Sequence, residues 1–249
     1  MCTVSVIPLP DRRGYRLVTN RDELKTRPPA LRPRLHTPEP DLSAIWPVDP
    51  DAGGTWIATS DHQLTLCTMN INPDPRPAPP ADDIRRSRGM VIPALINSNS
   101  ATHAIERLES FNLDQFKCFR LIAVDHDRVL DAVWDQSELF ITDRPLESVC
   151  FATSGIGDHR VQARVTFFDW WSDGAPLTPE RQDAFHHHRW PERGEISVNM
   201  HRAEARTVSI TSVEVPADDD TTMIYRDEQR HATTHRLETR AQPARHARV

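Results

Sequence analysis

The strongest constraint on the fold is the order in which two hydrophobic periods follow one another. CTVSVIPL and RGYRLVTNRDE are extended runs on either side of the turn-prone PDRRG, which predicts an N-terminal hairpin. GGTWIAT and LTLCTMN, joined by SDHQ, predict a second hairpin. Between residues 82 and 110 the period changes. Ile84, Met90, Val91 and Leu95, then Ala104, Ile105 and Leu108, space like the stripes of two helices interrupted near Pro93 and NSNS. A further strand series follows in FRLIAVD, RVLDAVWD, ELFIT and VCFATSG, then a helical stretch in VQARVTFFDWW. EISVNMHR and TVSITSVEV close the pattern as a last hairpin. Strand pairs, a helical block and more strand pairs predict an α+β sandwich with helices on the outer faces of stacked sheets.

Twelve of the 21 prolines fall between Pro28 and Pro80, so irregular chain is expected there around the second hairpin. No composition break divides residues 1–226, which are read as a single domain. Residues 227–249 are rich in Arg, His, Thr and Gln with few apolar side chains, and are expected to be a disordered polar tail.

The formal charge of −6, from 36 acids against 30 bases, gives no reason to expect nucleic acid as the partner. There is no apolar run long enough to span a membrane and no secretory leader pattern, so a cytoplasmic protein is expected. Cys2, Cys67, Cys118 and Cys150 lack the paired spacing of a zinc or redox site and are read as thiols. Cys67, Cys118 and Cys150 lie in apolar strand-like runs as small core residues; Cys2 differs by its position beside Met1. His186, His187 and His188 are adjacent, and three neighbouring imidazoles on one regular element do not converge on one ion, so no metal site is expected. Trp170, Trp171 and Trp190 read as packing residues.

Several short segments, in order, carry a resemblance. Cys2 after Met1, Asn20-Arg21-Asp22-Glu23, Arg27-Pro28, Gly53-Gly54-Thr55-Trp56, Asn70, and Ser87-Arg88-Gly89 resemble the NRDE-domain, or transport-and-Golgi-organisation, family. FKCFRLIAVD, TSGIGDHRVQAR and SVNMHRAEARTVSIT extend the likeness to about residue 215. That family is similar to the cysteine N-terminal-nucleophile hydrolases. The resemblance implies a four-layer αββα sandwich and a nucleophilic Cys2 exposed by removal of Met1.

Chemistry gives that implication a reason. A free α-amine has an ordinary pKa near 8, so one residue would hold both nucleophile and base. The resemblance assigns catalytic roles to Cys2, Asp22 and Asn70, the last as an oxyanion donor. It places Asn20, Arg21, Arg27, Trp56, Ser154 and Gly155 around the substrate. In the branch that cleaves bile-salt and penicillin amides the second strand ends R-N-x-D. Here Thr19 replaces the arginine, and Ser154 or the Gly155 N–H stands where a second asparagine is expected.

The function expected is hydrolysis of a non-peptide amide or related acyl compound, without a cofactor. The competing expectation is a non-catalytic binding or trafficking protein for a small hydrophobic ligand, either haem or an acyl-CoA or other lipid. For haem, His103, His126, His159 and His201 are scattered and form no axial-ligand motif.

Overall fold

β1 (Cys2–Pro8) and β2 (Gly14–Leu24) form the expected hairpin, with Cys2 opposite Arg21 and Pro8 opposite Tyr15. The computed structural model describes residues 2–10, 13–82, 84–173 and 177–240. The second hairpin is β5 (Ile57–Ser60) and β6 (Thr65–Asn70). The strand series is β7 (Phe119–Val124), β8 (Arg128–Trp134), β9 (Leu139–Pro145) and β10 (Val149–Thr153).

Two strands fall in the proline-rich region read as irregular: β3 (Leu31–Glu39) and β4 (Leu42–Val48). β3 is an edge strand, where the missing N–H groups of Pro33 and Pro38 cost few ladder bonds. In β4, Pro47 lies beyond the Ala44 and Ile45 pairs made with β5.

The helical block is α1 (Val91–Leu95) and α2 (Ala101–Glu109), with Ser100 capping α2 by accepting from His103 N–H. Pro93 stands inside the first turn of α1, where no intrahelical donor is required. Ile84 lies outside both helices and is exposed. α3 (Gln162–Ser172) matches the predicted helix. α4 (Pro179–His187) was not expected, although Thr178-Pro179-Glu180 carries its start signal: a capping hydroxyl, proline in the first turn and an acid beside it.

The last hairpin is composed differently from the expectation. EISVNMHR is not a strand, and its first two residues belong to a 3-10 turn over Gly194–Ile196. TVSITSVEV lies within β11 (Ala205–Pro216), which pairs with β2 on one side and β12 (Thr221–Asp227) on the other. The supposed tail contains β13 (Ala232–Leu237), paired with β12. Its apolar content is low because it is a threonine-rich edge strand with Leu237 as its buried anchor. Residues 241–249 lie outside the described residues.

All strand pairings among the described residues are antiparallel. One sheet runs β10-β1-β2-β11-β12-β13, the other β3-β4-β5-β6-β7-β8-β9. Val4, Val6, Leu17, Ile57, Cys67, Met69 and Val213 pack between the sheets. α1 and α2 cover the seven-stranded sheet through Val91, Ile92, Leu95, Ile105 and Leu108. Phe168 and Phe185 from α3 and α4 cover the six-stranded sheet against Ile7 and Cys150. This is a four-layer αββα sandwich. No helix among the described residues is long and apolar enough to cross a membrane.

Candidate functional site

Successive strand residues face opposite sides of the sheet, and this decides how the N-terminal motif is divided. Cys2, Val4 and Leu17 face the space between the sheets. Thr3 and Asn20 face the helical layer: Thr3 Oγ1 accepts from Arg164 Nη1 at 2.8 Å, and Asn20 Nδ2 donates to the carbonyls of His186 and Val198, both at 2.9 Å. The Asp22 carboxylate is held from that same side. Arg164 Nη1 lies 3.2 Å from Oδ2, and Thr207 Oγ1 donates to Oδ1 at 2.6 Å.

At the end of the sandwich a cleft of about 130 Å³ gathers Cys2, Asp22, Asn70, Arg21, Arg27 and Trp56. Six residues predicted from the sequence therefore meet in one place. Asn20, Ser154 and Gly155 are not among its lining residues. Ser154 N–H donates to Asp158 at 2.7 Å, and Ser154 Oγ accepts from Arg202 Nη2 at 2.9 Å.

Asp49, which sequence reading missed, organises the cationic wall. Its Oδ2 lies 2.7 Å from Arg21 Nη2 and 3.0 Å from Arg27 Nη2. Its Oδ1 accepts the N–H groups of Asp51 and Ala52 at 3.1 and 3.2 Å, closing a turn. The signal for it was an aspartate opening the DPDAGG turn. Burial works to raise the Asp49 pKa, but Arg27 and Arg21 outweigh it and hold the carboxyl below its usual range. The Arg21 guanidinium lies 4.6 Å from the Trp56 ring centre, a cation–π contact that fixes its plane. Glu23 adds ion pairs to Arg27 at 3.5 Å and to Arg21 at 3.6 Å.

The opposite wall is made by backbone proximity. Thr55 N–H donates to Gly89 O at 2.9 Å, and a Cβ on Gly54 would fall 2.4 Å from the Gly89 carbonyl. The two glycines allow GGTW and SRG to touch, which brings Ser87 and Arg88 to the cleft. Arg88 Nη1 donates to Cys118 O at 2.9 Å.

Cys2 is the one cysteine lining this cleft among the described residues. Burial pushes its thiol pKa up and the Asp22 charge adds to that, while Arg21 and the backbone N–H of Asp22 pull it down. The remaining three thiols are also raised by burial. As it stands, Cys2 is a protonated thiol at a polar, arginine-lined opening. The arrangement can present sulfur to an electrophile once a base is available.

His186 to His188 separate as their adjacency implies. His186 is buried against β1 and β2, His187 is exposed, and His188 packs on Phe167 and Trp190.

A sequence model of the family described as Transport and Golgi organisation 2 matches residues 1–163. No curated protein matches in sequence. Among solved structures, penicillin V acylase from Agrobacterium tumefaciens aligns with TM-score 0.60 and 11% identity, covering 95% of this chain and 86% of its own. A conjugated bile acid hydrolase variant from Clostridium perfringens aligns with TM-score 0.55 and 10% identity, covering 96% and 93%. The Caenorhabditis elegans orthologue of N-acylethanolamine-hydrolyzing acid amidase aligns with TM-score 0.55 and 10% identity, covering 86% and 93%. These are N-terminal-nucleophile hydrolases, and the chain shares their fold.

Proposed function

From the premise that the chain belongs to the Transport and Golgi organisation 2 family, we propose that it is a cysteine hydrolase of a non-peptide amide or related acyl compound, with Cys2 as nucleophile after Met1 is removed. The observation that carries this reading is the meeting of Cys2, Asn70, Arg21 and Arg27 around one cleft. The neighbours' names, an acylase, a hydrolase and an amidase, support the reaction class.

Removing Met1 frees the α-amine of Cys2, which supplies the base that a buried, protonated thiol needs. The amine takes the thiol proton as Sγ bonds to the substrate carbonyl carbon, and the C=O electron pair moves onto oxygen. Asn70 donates its amide N–H to that oxyanion. Collapse breaks the C–N bond, and the ammonium returns the proton to the leaving amine. Water, deprotonated by the same amine, then cleaves the acyl thioester and restores the thiol. Asp22 holds the α-ammonium, since a carboxylate that already accepts from Arg164 and Thr207 has lone pairs left for one more donor.

The test uses Met1-free protein, verified by intact mass, with a panel of N-acyl amides, acyl thioesters and lactones. A covalent acyl mass on Cys2 and turnover that vanishes in Cys2→Ala are expected. Asn70→Ala should lower kcat by about 10²-fold or more. The carrier reading draws on Ser154, engaged by Arg202 and Asp158 and not by the cleft. It prevails if no adduct or turnover is seen while wild type and Cys2→Ala bind haem or an acyl-CoA equally well.

A further inference from the structure

A second cavity, of about 240 Å³, adjoins the cleft. Arg21, Glu23 and Arg27 line both, so the two spaces share one wall. We propose that this second chamber binds the apolar acyl chain of the substrate, leaving the cleft to hold the amide itself. The inference rests on the hydrolase reading for the amide, but not for the chamber.

Size is the first argument. Pockets for drug-sized ligands run to roughly 300–1,000 Å³. The cleft, at about 130 Å³, has room for little beyond the reacting group, and the adjoining space supplies the remainder.

The lining is the second. Leu24, Pro28, Pro29, Ala30, Val208 and Tyr225 give the chamber an apolar surface. Most of its charged rim is paired. Arg206 pairs with Glu228, Asp227 lies 3.5 Å from Arg32, and Lys25 Nζ donates to the carbonyls of Arg202 and Ala203 at 2.8 and 3.0 Å. Glu23 is taken by Arg21 and Arg27. With those ion pairs made, Leu24, Pro28, Pro29, Ala30, Val208 and Tyr225 form the part of the lining that an alkyl chain can cover. The Tyr225 hydroxyl stays protonated, its pKa raised by burial.

The third argument is a break in the strand pairing. β11 pairs Thr207 with Asp22 and Ser209 with Arg21, so Val208 is an extra residue opposite the catalytic motif. Such a bulge re-aims a side chain, and here Val208 lines the chamber beside the shared wall.

The experiment separates binding from chemistry by using Cys2→Ala, which has no nucleophile. N-acyl glycinamides from acetyl to decanoyl are titrated by calorimetry. Affinity should rise about fourfold per methylene until the chamber is full, then level off. Val208→Trp should flatten the series, and Val208→Ala should move the plateau to longer chains. Circular dichroism and urea unfolding check that each variant folds; if the Trp variant does not, the Ala variant decides. A flat series, or a gain that neither variant alters, overturns the chamber. If the methylene gain holds but Met1-free wild type neither forms an acyl adduct nor turns the compounds over, the chamber stands and the hydrolase reading falls.

Discussion

Asp22 and Arg164 are about as buried as an ion pair can be, at 1% and 0% exposure. Arg164 also donates Nη1 to Thr3 and Nε to the carbonyl of Ile196, so one guanidinium ties α3 to both strands of the N-terminal hairpin. Nothing in VQARVTFF marks this residue; an arginine on a helix is ordinarily solvated. Removing it leaves a buried carboxylate uncompensated. Arg164→Ala should therefore cost about 3–5 kcal/mol, read as a lower urea midpoint. Arg164→Lys, which keeps the charge but not the planar fork, should lose less.

At the scale of elements, α4 is docked through a closed polar network and not through apolar packing alone. Asn20 spends its amide protons on two carbonyls, so its oxygen accepts from His186 Nδ1–H. His186 Nε2 then accepts the Ser5 hydroxyl at 2.7 Å, and Ser5 Oγ accepts from Gln182 at 2.8 Å. Arg16 completes the set, donating to Gln182 and pairing with Asp183 at 2.7 Å. The ring is neutral, because burial, with the Arg16 and His187 charges adding, holds its pKa well below the usual histidine value. The sign follows. Below about pH 6.5 the unfolded chain protonates this imidazole and the folded one does not, so stability is full above that pH and declines as pH falls. Wild type should lose up to about 1.4 kcal/mol more per pH unit between 6 and 5 than His186→Gln, measured by urea unfolding at each pH.

For the whole molecule, the C-terminal strand acts as a strap. β13 closes the edge of the six-stranded sheet, Leu237 is buried between the sheets, and Arg240 N–H donates to Asp61 O in the β5–β6 turn at 3.1 Å. Stopping the chain after residue 230 removes that burial and bares the β12 edge. It should destabilise by at least the ~1.5–3 kcal/mol of one buried leucine, and Leu237→Ala should reproduce about 2 kcal/mol or more of the loss. Calorimetric melting of both proteins checks this. The charge cluster around Asp49 would stay intact, since none of its pairs involves the removed strand.

Legibility followed the range over which each signal acts. Hairpins with alternating apolar residues, α2, α3 and the middle strand series could be read directly, because period and turn chemistry are local. So could Cys2, Arg21, Asp22, Arg27, Trp56 and Asn70, once their order matched a family pattern. β3 and β13 could not, since an edge strand tolerates proline and polar residues that would exclude it from a sheet centre. Asp49 and Arg164 also escaped, because each charge gains its role only when its counter-charge is brought to it from 22 to 142 positions away. Asn20, two residues from Asp22 and on the same face of β2, lies outside the cleft with its amide bound to the His186 and Val198 carbonyls, whereas Asp22, nearer the strand end, reaches it. Local chemistry in the sequence determined which elements form and which residues carry reactive groups. Only the tertiary structure decided which side of the sheet each group serves, because the pleat alternates faces and the stacking of layers chooses between them.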